Sequence, residues 1–414
     1  MLATKNKFFD IIFYIYYEDL NVLSPYLYAI KMWRECGYNV SVFSLHDEKL
    51  RVSIPERTGK DFVHHSVKFP FFLKVLCKLI LAIGSIPRIA GLRTRGGTYV
   101  SFVKKSYFAF YCYFKTDKSK KTILIAVDPP SLWAAALVSK RTKNPYIYFV
   151  KEIFLSDDIK TTVKRFTKFL ERKANRNALF TVEFDETRAE LLRKDNQLAP
   201  GSIMVVPNAP PGKADIKKEQ YWHDKFKIKK EKKIVLYTGG IADYNLTYEI
   251  ISTIETWPEN VVLVMHCLAI KEAIEELINF AYRFKGKIYF STDIVPFSEI
   301  NKLYASCDIG FAMYGNHDLN HKYTGMSSGK LFNFMKACVP IITNDTPSCK
   351  KAVEETGCGV CVNNISKIGS AIKKILKNEE NYRSNCLKTF SSFSFDRNYK
   401  KLMEAIENHW YMRS

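Results

Sequence analysis

At 414 residues, 47% hydrophobic and 25% charged, the chain is long enough for two or three domains and too apolar for wholesale disorder. Its 63 Lys and Arg against 42 Asp and Glu leave a formal net charge of +21, which directs attention to anionic partners. The ten cysteines are scattered, with one C-x-x-C, Cys358 to Cys361, and no second such pair to complete a zinc site; they read as reduced thiols of a cytoplasmic protein.

Residues 8–16 read as a first β-strand. Lys5, Lys7 and Asp10 interrupt the apolar start and no small-residue cleavage site follows, so a signal peptide is not expected. A helix over 24–35, stopped by Gly37, and a strand over 40–45 come next. Between Phe71 and Lys121 stand eleven basic residues and one acid, Asp117, interleaved with Phe71-Phe72-Leu73, Leu79-Ile80-Leu81, Tyr107-Phe108 and Tyr113-Phe114. No run there approaches the roughly 18–20 uncharged apolar residues that span a bilayer. The segment fits two readings: ordinary helices, apolar inside and basic outside, or a surface attracted to an anionic membrane. Nucleic-acid binding is not expected, because no recognised binding motif accompanies the charge.

Strands are predicted at 122–127, 146–150, 178–182 and 203–206, and helices at 131–141, 162–174 and 186–194. This βα alternation argues for a parallel sheet covered on both faces, in a first domain over 1–207. Residues 208–233, rich in Pro, Lys and polar side chains, read as a linker. A second βα series covers 234–390, with strands at 234–238, 261–266, 287–290 and 309–313 and helices at 270–284, 297–306, 365–377 and 379–388. An amphipathic helix over 393–410 lies within a closing segment, 391–414.

The most informative stretch is S-S-G-K-L-F-N-F-M-K-A-C-V-P-I-I-T-N-D, Ser327 to Asp345. Ser327, Ser328 and Gly329 can offer hydroxyls and backbone N–H groups at the positive end of a short helix, and Lys330 adds a full charge. That combination suits a pyrophosphate. A phosphate-loop NTPase fits less well, since G-M-S-S-G-K-L is one residue short between its glycines and Leu331 stands where Ser or Thr would bind metal. Gly239 and Gly240, just after a strand, would allow close backbone approach to a phosphate or make a plain tight turn.

The stretch resembles the donor-site signature of family 4 glycosyltransferases, Ser-Pro-x-Lys-Leu-Phe-Glu-Tyr-Met followed by Gly-x-Pro-Val-Ile, and the likeness continues through Thr356-Gly357-Cys358-Gly359-Val360. It is specific over about residues 234–363 and looser elsewhere. The resemblance implies a GT-B architecture: two Rossmann-like parallel-sheet domains facing across a cleft, with the C-terminal helix returning to the first domain. It implies a retaining glycosyltransferase acting in bacterial surface polysaccharide assembly (capsule, O-antigen or exopolysaccharide), cytoplasmic and peripheral on the inner membrane face. The donor would be a nucleotide diphosphate sugar and the acceptor a lipid-linked or membrane-proximal glycan.

By the same resemblance, Val295 and Pro296 would hold the nucleotide base through backbone contacts. From its residues alone, the polar loop around Asn316, His317 and Lys322 could read sugar hydroxyls or be a plain solvated surface loop; Lys322, or the first domain, is a candidate source of the second cation where the family's usual one is replaced by Asp243-Tyr244-Asn245. Asn333 and Gly325 stand where many members carry two glutamates; Asn333 can still bond a ribose hydroxyl but brings no charge. Asp-Pro-Pro from Asp128 and Lys151-Glu152 resemble two first-domain loops, so Asp128 or Glu152 would take the acceptor proton or bind the acceptor, unless Asp128 merely caps the following helix. Asp19 and Asn21 would line the cleft where relatives often carry a glycine-rich turn. No Asp-x-Asp occurs, so neither an obligatory metal nor any other cofactor is expected. The alternatives are a nucleotide-sugar 2-epimerase on the same fold, disfavoured by Gly325 and Asn333, and a non-catalytic basic protein that binds membranes or nucleic acid.

Overall fold

The computed structural model describes residues 9–17, 24–45, 63–84, 90–159, 161–241, 245–296 and 299–413. Contacts divide the chain into two compact units, Met1–Phe184 with Arg188–Val205, and Asp185–Thr187 with Val206–Ser414.

The first unit is built on seven parallel strands: β1 (Asp10–Ile15), β2 (Val40–Leu45), β3 (Val63–Val67), β4 (Thr122–Val127), β5 (Tyr146–Phe149), β6 (Phe180–Glu183) and β7 (Ile203–Val205), in the order 3-2-1-4-5-6-7. Strand β4, TILIAV, is buried at every position, as a strand packed on both faces must be. Edge strand β3 is not expected from sequence. Its VHHSV has little apolar character and only Val67 is buried. The order reverses between β1 and β4, so the ends of these two strands frame a crevice at their carboxyl side.

The second unit repeats the plan with β8 (Lys233–Gly239), β9 (Val261–Cys267), β10 (Ile288–Ser291), β11 (Ile309–Ala312), β12 (Ile341–Asn344) and β13 (Gly359–Val362), all parallel in the order 10-9-8-11-12-13. Here the reversal falls between β8 and β11. One face packs Leu236, Phe332 and Phe334 with Trp222; the other packs Tyr237, Trp257, Phe311 and Ile372. Residues 208–233, with a linker-like composition, are thus part of this unit. The Tyr221–Phe226 helix sinks Trp222, whose Nε1 donates to Leu303 O at 2.9 Å.

The signature helix, Gly329–Lys336, lies on β11 because Gly310 has no side chain: a Cβ there would stand 2.3 Å from the Phe334 ring. The last helix, Phe395–Arg413, packs on Glu379–Phe393 and is grouped with the second unit.

Candidate functional site

In open parallel sheets ligands gather beyond the carboxyl ends of the strands where the order reverses. In the second unit that place is taken by Lys330. Its Nζ lies 4.4 Å from the Tyr314 ring centroid and 5.4 Å from that of Tyr237, residues that follow β11 and lie within β8. Gly239, at φ +139, closes the other side; a Cβ there would be 3.4 Å from Nζ. Among the described residues no carboxylate pairs with this ammonium. Lys330 is half-buried, and withdrawal of its charge from water lowers its pKa to about 8. The aromatic faces offset part of that cost.

The mouth of the helix is fixed by hydrogen bonds. Ser328 Oγ accepts from Leu331 N at 3.2 Å and pairs with Tyr314 Oη at 2.7 Å. Tyr314 is held in turn by Asn344, whose Oδ1 accepts from Tyr314 N at 2.7 Å and whose Nδ2 donates to Tyr314 O at 3.0 Å. Asn208 Nδ2 donates to Ser327 O at 2.8 Å and lies 3.7 Å from where a Gly329 Cβ would be. Gly240 O accepts from Tyr237 Oη and Asn245 Nδ2, both at 2.8 Å, which pins the turn after β8. Asn333, one helical turn beyond Lys330, hydrogen-bonds Tyr304, whose hydroxyl is 3.4 Å from Thr238 Oγ1. Ser327, Ser328, Gly329, Lys330, Asn333, Gly239 and Gly240 therefore form one assembly.

Lys322 lies elsewhere in the unit. It lines a cavity of about 320 Å³ over the ends of β11, β12 and β13, with Asn316, His321, Asn344 and Asp345. Val295 and Pro296 follow edge strand β10; Val295 leans on the core and Pro296 is exposed. At Gly325, a Cβ would stand 2.6 Å from the buried Asp185 carboxylate, which accepts from Met326 N at 2.9 Å and Ser348 Oγ at 2.8 Å. The position is closed to any larger residue.

In the first unit the crevice between β1 and β4 holds Asp128, at φ +63, a backbone conformation that costs a non-glycine residue energy and recurs at functional sites. Asp128 does not cap the helix it heads, Asp128–Thr142. Its Oδ1 accepts from Lys151 N at 2.8 Å and Glu152 N at 3.4 Å, and its Oδ2 accepts from the Tyr17 hydroxyl. Burial raises the Asp128 pKa and these bonds pull it back; the same burial, with the Asp128 charge, raises that of Tyr17. Lys151 Nζ sits 4.7 Å over the Tyr17 ring. The cavity here, about 330 Å³, is lined by Tyr17, Asp128, Glu152, Lys105, Lys164 and Trp133 among others. Burial lowers the pKa of Lys105. Asp128 and Glu152 are thus brought together, with Asp128 positioning the loop that carries Glu152. Asp19 and Asn21 lie outside the described residues.

The sequence does not mark Tyr17, Tyr237 and Tyr314, because a tyrosine in or beside a buried strand reads as core, nor Asn208, which sits in a proline-rich stretch of linker-like composition. Among the described residues no cluster of three or more His, Cys, Asp or Glu could hold a metal ion.

The sequence matches no protein-family model and no curated protein. Solved structures do align. HepE of Anabaena in complex with UDP and glucose superposes with a TM-score of 0.69 at 13% identity, over 97% of this chain and 100% of that one. The lipopolysaccharide outer core galactosyltransferase WaaB gives 0.60 at 11% identity, over 96% and 99%. TarM gives 0.64 at 10% identity, over 97% and 99%. A putative UDP-N-acetylglucosamine 2-epimerase from Listeria monocytogenes also aligns, with a TM-score of 0.59 at 12% identity over 98% of both chains. Two parallel-sheet α/β domains of seven and six strands match the GT-B glycosyltransferase fold.

Proposed function

We propose that this chain is a retaining glycosyltransferase of the family 4 kind. It would move a sugar from a nucleotide diphosphate donor, held by the second unit, to a lipid-linked or membrane-proximal glycan in bacterial surface polysaccharide assembly. The observation that carries the reading is Lys330: an ammonium without a carboxylate partner among the described residues, set between two aromatic faces at the mouth of the Gly329–Lys336 helix and against Gly239. The departing diphosphate gains negative charge as the glycosidic bond breaks. A fixed cation and the helix N-terminus stabilise that charge more in the transition state than in the ground state. Solved relatives in fold that carry UDP and UDP-glucose support a nucleotide-sugar donor here.

In the first unit Glu152 is the group proposed to meet the acceptor hydroxyl, with Asp128 and Tyr17 setting its loop. The donor site needs no metal in this reading, because Lys330 supplies the countercharge. The protein is proposed to work in the cytoplasm at the inner face of the membrane.

UDP should raise the thermal midpoint of the protein saturably. Lys330→Ala should keep the fold, lose most of that shift and lower turnover by about 10²–10³, the usual effect of removing one such contact. EDTA should leave turnover intact. A protein indifferent to UDP, with Lys330→Ala as active as the parent, would overturn the reading. Sugar analysis after incubation with donor alone would reveal epimerisation instead.

A further inference from the structure

Along its carboxyl edge the second sheet offers successive places to a ligand, in the strand order 10-9-8-11-12-13. Lys330 takes the place over β8 and β11. The next place, over the ends of β11, β12 and β13, is the cavity of about 320 Å³ that Lys322 lines. Tyr314 belongs to both: its ring faces Lys330 Nζ at 4.4 Å, and it lines the cavity. Neighbouring strands stand about 4.8 Å apart, close to the width of one sugar ring. With the base toward β10, the side of Val295 and Pro296, a diphosphate at Lys330 has its sugar end toward β12 and this cavity.

Most polar side chains of the cavity are engaged within the protein. Asn344 holds the Tyr314 backbone through both of its amide atoms, at 2.7 and 3.0 Å. Asp345 pairs with Lys350 at 2.7 Å, and His321 Nδ1 lies 2.9 Å from Asp318 Oδ1. Lys322 is the exception, exposed and without a carboxylate partner among the described residues. It ends the short Leu319–Lys322 helix, which Asp318 caps by accepting from His321 N at 2.9 Å, and its Nζ lies 5.2 Å from the Tyr323 ring.

No glutamate opposes this ammonium. Gly325 lines the same cavity at one of the places where the resembled family carries glutamate, and a Cβ there would stand 2.3 Å from Ser348 Cβ, so no carboxylate side chain fits. Asp185, beneath Gly325, is fully buried, with its oxygens accepting from Thr187 N, Met326 N and Ser348 Oγ. The other glutamate place holds Asn333, which carries no charge. A neutral hexose asks for acceptors and donors of hydroxyl protons, whereas a lone cation in a cavity whose one carboxylate is already paired matches a sugar with a negative charge of its own.

We infer that the donor sugar is a hexuronic acid, whose carboxylate pairs with Lys322 Nζ in this cavity while Asn316 and Asn363 meet its ring hydroxyls. The inference rests on the glycosyltransferase reading and names the class of sugar transferred. Lys322 is then a specificity residue for the sugar and not a second cation for the diphosphate.

Calorimetric titration of the full chain tests it by comparing UDP-glucuronate with UDP-glucose and UDP-galacturonate with UDP-galactose. In one pair or both, the acid should bind at least about fivefold more tightly than its neutral counterpart, and that ratio should shrink as salt rises. Lys322→Gln, a change at an exposed residue that the fold should tolerate, should remove the preference, and Lys322→Glu should reverse it. Neutral sugars that bind as tightly as the acids in both pairs, or a preference that survives Lys322→Gln, would overturn the proposal. So would an equal loss for UDP, UDP-glucose and UDP-glucuronate in Lys322→Gln, which would assign this ammonium to the diphosphate. UDP titrated alone separates the two ideas. If UDP binds and the acids gain nothing over the neutral sugars, the sugar assignment fails alone; if neither UDP nor any of the four nucleotide sugars binds, the donor reading fails and the sugar assignment falls with it.

Discussion

Lys330 sets the pH behaviour of the second unit. An anion binds the ammonium and not the amine, and burial brings this group's pKa down to about 8. A diphosphate beside it raises the pKa again, so proton uptake accompanies binding above pH 8. UDP affinity should therefore hold nearly level from pH 7 to 7.5 and fall as pH rises through 8 to 9.5. Lys330→Arg, charged throughout, should remove that dependence. Calorimetry in buffers of different ionisation enthalpy reads both the affinity and the protons, and a level affinity to pH 9.5 in the parent would contradict it. The same shift bears on unliganded stability with the opposite sense: the unfolded chain holds the proton more tightly, so this group's cost is full below pH 8 and is relieved as pH rises toward the ordinary lysine value. A lysine behind Ser-Ser-Gly at a helix start was legible in the sequence. Its walls were not, because Tyr237 falls within the strand IVLYTG, where aromatic side chains normally serve the core. Asp128 was legible as polar at a strand end, but its bonds to Tyr17 and to the Lys151 and Glu152 amides join residues 111, 23 and 24 positions apart.

Among the elements, the Gly329–Lys336 helix has the least tolerance. Phe334 fills the space above Gly310 and meets Tyr304 edge-on at 4.8 Å. Gly310→Ala would push a methyl group to 2.3 Å from that ring, so the helix must lift or the ring must leave its rotamer. We expect a loss of about 1–3 kcal/mol in stability, typical of overpacking, read as a lower urea midpoint with an unchanged slope. Because Lys330 rides on the same helix, UDP affinity should fall too, although residue 310 is itself buried. A variant as stable as the parent would show that the helix has room to move. Central strands and several helices could be placed from sequence, since their apolar runs and βα spacing are strong, but the Phe71–Gly84 and Ala90–Lys115 helices received no bounds within the basic, aromatic-rich region. The short Tyr221–Phe226 and Thr247–Ser252 helices could not, because six residues give too little periodicity. Cys338 is equally silent in the sequence: it follows the end of the signature helix at φ +53, where the resembled motif has glycine, and nothing in a buried cysteine announces a left-handed backbone.

For the whole molecule the governing quantity is a net charge of +21 on a chain whose described helices include none long and apolar enough to cross a membrane. The charge meets apolar surface on the Phe71–Gly84 helix. Leu73 and Cys77 are its buried contacts, whereas Phe71 is 81% and Phe72 67% exposed, with Val75, Leu76 and Leu79 along the same surface and Lys74 and Lys78 among them. A soluble partner-free surface rarely carries so continuous an apolar strip, and basic residues set into one are drawn to anionic bilayers. Attraction by each surface lysine is worth about 1 kcal/mol, roughly fivefold in partitioning, and fades beyond a Debye length of about 8 Å at physiological salt. Sedimentation with liposomes should therefore increase with the fraction of phosphatidylglycerol and decrease with salt. Lys74→Gln and Lys78→Gln should each lower binding several-fold at low salt, while Phe71→Ser with Phe72→Ser should lower it at every salt concentration, because insertion of the rings is not screened. Binding that ignores both lipid charge and salt, and survives loss of the two phenylalanines, would leave this helix with no membrane role and assign the excess charge to solubility alone.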